Sequence, residues 1–255
     1  MSAFRVGDTG RKALAAFVGS ALLAATVVGS GIAAETLSPD DVGLQLLENA
    51  LITGSVLVAL ILALGPVSAA FNPVVTLAER ILGAITTAQA AVFAAAQVLG
   101  CCVGVVVANL MFELDAVEVS TKERAAGGLW LGEVVATFGL VVVIFGVVRS
   151  GRSAHVAFAV GGYITAAYWF TSSTSFANPA ITIGRTLSDT FAGIAPSSAP
   201  LFVLMQLVGG LLGLAAAVVL YPSSRRLAED LARAGDRERT ADLDATDLDP
   251  VETRP

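Results

Sequence analysis

The segment SAAFNPVVTLA (residues 68–78) decides the fold, and its pattern returns as TSFANPAITIG (residues 174–184) in the second half of the chain. Each segment follows an apolar stretch and contains an Asn-Pro pair, Asn72-Pro73 and Asn178-Pro179. Asn is a favoured helix N-cap and Pro a favoured first helical residue, so each pair predicts a short helix. A helix that begins inside a membrane directs its free N–H groups and positive dipole end at whatever lies in front of it. Two such half-helices, one per half, are typical of a membrane transport site.

The composition excludes an ordinary soluble protein. Of 255 residues, 55% are hydrophobic and 14% are charged, whereas globular proteins carry roughly 25% charged residues. Much of the acidic excess lies in residues 223–255, which we predict to be an acidic, partly disordered cytoplasmic tail. Nothing in the charge pattern indicates a nucleic-acid partner.

Six stretches are long and apolar enough for spans, which need roughly 20 residues in a lipid bilayer. They are Arg11–Ala33, Gln45–Leu64, Ala84–Phe112, Leu129–Val148, His155–Phe170 and Ala199–Tyr221. The fifth is short, so we expect it to begin earlier or to continue into the following Ser/Thr segment. With the two half-helices, the sequence predicts an all-α membrane protein of six transmembrane helices.

Lysines and arginines next to the spans predict the orientation. With a cytoplasmic N-terminus, the inside carries Arg5, Arg11, Lys12, Arg80, Arg149, Arg152, Arg225 and Arg226. The outside carries only Lys122, Arg124 and Arg185. This asymmetry favours a multi-pass protein of the inner (plasma) membrane with both termini cytoplasmic.

The chain also repeats itself. The pattern Q-x-x-G-x-x-x-G occurs at Gln97–Gly104 and again at Gln206–Gly213, after the first and second Asn-Pro pairs. A channel domain of residues 1–222 is therefore expected to contain two repeats, about 11–112 and 128–221. Three crossings per repeat force the second to insert upside down, as an inverted repeat. The small-xxx-small spacing predicts close helix crossings at Gly100/Gly104, Gly128/Gly132 and Gly209/Gly213.

In an inverted repeat, the two half-helices meet near the membrane midplane. The Asn72 and Asn178 amides then face a passing neutral solute, while the two positive dipole ends disfavour cations and relayed protons. Cys101, Cys102 and His155 are interpreted as packing or interfacial residues, so no metal site and no cofactor is expected.

These features resemble the aquaporin and glycerol-facilitator channels, over roughly residues 11–221. Asn178-Pro179-Ala180 resembles the second family signature intact, and Asn72-Pro73-Val74 resembles the first with Val in place of the usual Ala. The resemblance implies a homotetramer with one pore per subunit. It assigns structural support to three further residues, Gln97, Gln206 and Glu133.

The resemblance gives Glu133 the task of bracing the re-entrant loop. The matching position in the first repeat is Ala16, where the family commonly has Glu. Bracing is therefore expected to differ between the two halves.

Family members sort solutes at a constriction of four residues, of which the most familiar is an arginine directly after the second signature. Here that position is Ile181, and the implied set is Thr53, Ala166, Ser175 and Ile181, with Ile52 as the alternative to Thr53. Such a constriction is wide and neutral, which favours glycerol, urea and neutral metalloid hydroxides in addition to water. Residues 178–196 are also similar to bacterial channels found with arsenic-resistance genes, which makes neutral arsenic species such as arsenite candidates.

Arg185 allows two interpretations. It lies one helical turn after Ile181, from which it can place a positive charge over the vestibule; alternatively, it is an interfacial arginine that pairs with Asp189.

The predicted function is a passive channel for water and small uncharged solutes that excludes protons and ions. A secondary active transporter is the alternative, since it also uses inverted repeats and broken helices. Such a carrier usually has membrane-embedded ion sites, and Glu133 is the one acid deep within a span. An enzyme is not expected, because no span pairs a His with a Ser or a carboxylate at helical spacing.

Overall fold

The computed structural model describes residues 7–222, and every regular element in that range is helical. The helices are α1 (Asp8–Leu37), α2 (Val42–Leu64), α3 (Pro73–Ile81), α4 (Thr87–Met111), α5 (Gly127–Arg149), α6 (Val156–Phe170), α7 (Pro179–Gly184) and α8 (Ala199–Leu220). Short 3-10 turns precede α6 and follow α7, at Ser153–His155 and Arg185–Leu187. The predicted tail 223–255, which includes Arg225 and Arg226, and also Arg5 lie outside the described residues.

The six predicted spans correspond to α1, α2, α4, α5, α6 and α8. Five of these helices are long and apolar enough to cross a membrane, and α6, with 15 residues, is the short one. It ends at Phe170 rather than continuing into the Ser/Thr segment, and a 3-10 turn lengthens its other end. The helices α3 and α7 begin directly at Pro73 and Pro179. The predicted fold of six spans and two half-helices is confirmed.

The helices pack in matching pairs in the two halves of the chain. α1 packs on α4 as α5 packs on α8, and the half-helices α3 and α7 each contact both α4 and α8. α2 contacts its counterpart α6, and α3 contacts its counterpart α7. An internal repeat predicts this matching arrangement.

Glycines allow the closest helix crossings. A Cβ added at Gly100 or Gly104 of α4 meets the backbone carbonyl oxygens of Phe17 and Ala21 in α1 well inside van der Waals contact. Gly209 and Gly213 of α8 meet backbone carbonyls of α5 in the same way. The Q-x-x-G-x-x-x-G pattern therefore marks the helix that packs on the first span of each half.

Adding one methyl group at such a crossing should separate α1 from α4. We expect Gly104→Ala to lower the unfolding free energy by about 1–3 kcal/mol, because overpacking displaces backbone. Gly128→Ala is the matched control, since nothing lies within 4 Å of its added Cβ. Thermal unfolding in detergent measures both variants, and equal transition temperatures would contradict this account of the crossing.

Candidate functional site

Both Asn-Pro pairs cap their half-helices as the sequence predicts. Asn72 Oδ1 accepts the Val74 N–H at 2.9 Å, and Asn178 Oδ1 accepts the Ala180 N–H at 2.9 Å. Each Asn has extended backbone angles and is followed by Pro at the start of the helix. The Asn oxygens are therefore used inside each half-helix, which leaves the amide nitrogens for other partners.

The two caps are tied to each other. Asn72 Nδ2 donates to the carbonyl oxygen of Ala177 at 2.7 Å, and Asn178 Nδ2 donates to that of Phe71 at 2.8 Å. This reciprocal exchange brings the N-terminal ends of α3 and α7 together. Each amide nitrogen has two hydrogens, so one donor per Asn remains for a solute.

Glu133 holds the loop before Asn178. Its carboxylate is fully buried and accepts the backbone N–H groups of Phe176 and Ala177, each at 2.9 Å. Ala177, with φ 48°, and Ser175, with φ 50°, adopt the left-handed conformation that non-glycine residues avoid. Such backbone persists only where its surroundings fix it, and the Glu133 bonds supply that restraint.

The two glutamines play corresponding parts in the two halves. Gln206 Nε2 donates to Glu133 and, at 2.8 Å, to Thr182 Oγ1. Gln97 Nε2 donates at 2.8 Å both to Thr76 Oγ1 and to the carbonyl oxygen of Ala70 in the first loop. Sequence reasoning missed both threonines, although each lies four residues after its Asn in an N-P-x-x-T pattern.

Within residues 7–222, no carboxylate braces the first loop. Ala16 is fully buried, and the Phe71 ring packs against α1 so closely that a Cβ on Gly19 would overlap it. Aromatic packing, the Gln97 bond to Ala70 and the Asn178 bond to Phe71 thus hold this loop. Val74, the residue that departs from the usual signature, fits because it lies against Gly210 of α8.

A single cavity of about 430 Å³ contacts both Asn72 and Asn178. Thr53, Ser175 and Ile181 line it, as expected from the sequence. The alternative residue Ile52 is 44% exposed on the outside of α2, so α2 presents Thr53 to the cavity.

Ala166 does not line the cavity, which corrects the sequence expectation. It is exposed on the outer side of α6, whereas Ile164 and Tyr168 line the cavity. Residues four apart share a helix face and the residue midway between them points away, at about 100° per residue. Counting back from Asn178 by the family's loop length therefore gave the wrong face of α6. The Tyr168 hydroxyl donates to Thr53 Oγ1 at 3.3 Å, so tyrosine supplies the fourth wall.

Arg185 lies inside the protein and lines the cavity beyond Ile181. Its Nε donates to the Ala192 carbonyl, its Cζ lies 3.4 Å from the centre of the Phe176 ring, and its buried Nη1 has no hydrogen-bond partner among residues 7–222. Asp189 instead accepts the Thr121 N–H at 2.9 Å. The interpretation of Arg185 as an interfacial partner of Asp189 is therefore wrong.

A second arginine, which sequence reasoning left in the outer loop, packs on the same ring. Arg124 Cζ lies 4.9 Å from the centre of Phe176, and its Nε donates to the Gly193 carbonyl at 3.0 Å. Burial lowers the pKa of Arg124 to about 10, so the guanidinium is protonated at neutral pH. Two cations therefore flank Phe176 at this end of the cavity.

Comparison with known proteins identifies the family of this chain. The model of the major intrinsic protein family matches residues 4–173, two thirds of the sequence. The chain belongs to this family. It is 46% identical over 209 residues to aquaglyceroporin AqpS of Rhizobium meliloti (strain 1021), covering 82% of this chain and 89% of that protein. The X-ray structure of the aquaglyceroporin from Plasmodium falciparum superposes with a TM-score of 0.66 at 18% identity, over 85% of this chain and 99% of that one, which shows the shared fold.

Membership of the major intrinsic protein family fixes the functional class. This protein is a passive membrane channel for water and small solutes, and it is not an enzyme. Neither the relatives nor the described residues support a secondary active transporter.

Proposed function

We propose that this channel admits uncharged solutes larger than water, among them glycerol, urea and neutral metalloid species such as arsenite. The supporting observation is that Ile181 lines the cavity. It occupies the position directly after the second signature, where the resemblance leads one to expect an arginine. An aliphatic side chain leaves the constriction without a cation at that level. The relative with 46% identity is named an aquaglyceroporin, which agrees with passage of glycerol.

The proposed selectivity filter consists of Thr53, Tyr168, Ser175 and Ile181. The hydroxyls of Thr53 and Tyr168 bond to each other, whereas Ser175 Oγ is buried without a partner in the described chain and is free to bond a solute. Arg185 adds a positive charge next to this ring. Together with the dipole end of α3 it opposes the passage of protons and other cations.

For the assembly we propose a homotetramer in the inner (plasma) membrane, with a pore in each subunit and both termini in the cytoplasm. The proposed orientation rests on four cations at helix ends that the topology assigns to one side of the membrane. Lys12 lies near the start of α1, Arg80 near the end of α3, Arg149 at the end of α5, and Arg152 just after it. The proposed channel domain is residues 1–222, with repeats of about 11–112 and 128–221 and a cytoplasmic tail of 223–255.

Stopped-flow light scattering on proteoliposomes tests the solute range. We expect rapid, non-saturating fluxes of glycerol and urea as well as water, and we would add arsenous acid as the neutral metalloid. Water flux without glycerol or urea flux would overturn the proposal, and saturable flux that requires an ion gradient would overturn the channel mechanism itself.

Ile181→Arg tests the position of the filter. The larger cationic side chain should narrow the cavity, so we expect the glycerol flux to fall about tenfold or more while water flux falls much less. Ile181→Leu is the control of equal volume and should leave both fluxes near the wild-type values. Equal losses for water and glycerol in the arginine variant would place the filter elsewhere.

A further inference from the structure

A carboxylate lines the cavity at the end opposite Arg185. Glu79 lies in the last turn of α3 and is partly buried, and its side chain has no hydrogen bond or ion pair within residues 7–222. Lys12 of α1 lines the same end, but its Nζ is 2.8 Å from Asp8 Oδ2. Asp8 is shared by Lys12 and by Arg11, whose Nη2 lies 3.2 Å from Asp8 Oδ1. Lys12 therefore forms its ion pair with Asp8, and Glu79 is the charged group lining this mouth that has no ion pair within residues 7–222.

The rest of the cavity favours negative charge. The N-terminal end of α3 is a positive dipole end directed at the middle of the cavity, beside Asn72. Arg185 adds a full positive charge, and no carboxylate forms an ion pair with it among the described residues. These groups account for the rejection of cations, but the same field attracts anions.

Glu79 is the one acidic side chain among the described residues that line the cavity. We propose that it is a specificity-determining residue that rejects anions, so that the two signs of charge are excluded at opposite ends of one pore. This inference rests on the proposed passage of uncharged solutes. A carboxylate at a low-dielectric entrance gives that entrance a negative potential and lowers the local concentration of anions.

The position of Glu79 suits this task. It is near the end of its half-helix and away from the paired Asn caps, so it does not hold the centre of the pore together. The neighbouring Arg80 is exposed and donates its Nε to Thr87 Oγ1, and thus forms no ion pair with Glu79. Removing the Glu79 charge should therefore change selectivity without disturbing the path for neutral solutes.

Proteoliposomes that contain Glu79→Gln test the proposal with nitrate, a permanent anion, and with glycerol. We expect nitrate flux to rise about tenfold, a size typical of removing one unit charge from a partly buried site a few ångströms from the path. Glycerol flux should stay within about twofold of wild type, because no neutral contact is lost. Glu123→Gln removes the same charge from an exposed residue that does not line the cavity, and it should change neither flux.

Two further variants test whether the charge of Glu79 is the cause. Glu79→Asp retains the charge and should keep nitrate flux low. Asp8→Asn releases Lys12, which then offsets Glu79 and should raise nitrate flux in the same direction as Glu79→Gln. Unchanged nitrate flux in both Glu79→Gln and Asp8→Asn, with glycerol flux intact, would overturn the role of Glu79. If the wild-type protein showed no glycerol flux, that result would instead contradict the proposed solute range.

Discussion

Replacing Glu133 by alanine is expected to destroy the folded pore. The carboxylate accepts the N–H groups of Phe176 and Ala177 and the side-chain amide of Gln206, all of them buried. Each buried donor that loses its acceptor costs about 1–3 kcal/mol, so the three losses together equal a large fraction of the stability of a typical domain. The left-handed backbone of Ser175 and Ala177 also loses the group that restrains it.

We therefore expect Glu133→Ala to give little monodisperse protein in detergent and to lose about tenfold or more of its water flux in proteoliposomes. The yield and the water flux of Glu133→Gln should lie between those of wild type and Glu133→Ala. The single carbonyl oxygen of Gln can accept one or two of the bonds, whereas its NH₂ group faces other donors. Glu123→Ala, at an exposed loop position, is the control for loss of an acid. A Glu133→Ala protein with wild-type water flux would show that the loop does not depend on this brace.

Replacing Arg185 by glutamine is expected to make the pore leak cations. Arg185 is 2% exposed and lines the cavity, so its charge acts on a passing ion with little screening. A unit charge about 4 Å away is worth about 1 kcal/mol in water and about 4 kcal/mol at an effective dielectric constant of 20. We expect the flux of Na⁺ or protons to rise by at least about fivefold, the factor that corresponds to the smaller energy.

The matched control is Arg152→Gln, which removes an exposed arginine that does not line the cavity. Ion-sensitive dyes inside proteoliposomes measure the leak, and glycerol flux in the same vesicles reports whether the pore is intact. An equal leak from both variants would indicate a general effect of net charge. No leak from Arg185→Gln would leave cation rejection to the half-helix dipoles.

The sequence alone determined the architecture, because the signals for it are local. Apolar length predicts the spans, and the Asn-Pro pairs predict N-caps at Asn72 and Asn178, which form within two residues of each Asn. Spacing within one helix also predicts close crossing, correctly at Gly100 and Gly104 but not at Gly128, whose added Cβ meets nothing within 4 Å. Glu133 was identified as a brace through the family resemblance, and its bonds to the second loop agree with that role.

Which side chains line the pore was determined only by the tertiary structure. Ala166 and Tyr168 lie two residues apart on one apolar helix, and the choice between them depends on how that helix is rotated against its neighbours. The burial of Arg185 likewise depends on two distant groups, the Phe176 ring and the Ala192 carbonyl. The opposition of Glu79 and Arg185 across one cavity joins elements from both halves of the chain. Local pattern fixes where a helix begins and how long it is, whereas the orientation of its faces follows from contacts between segments that are far apart in sequence.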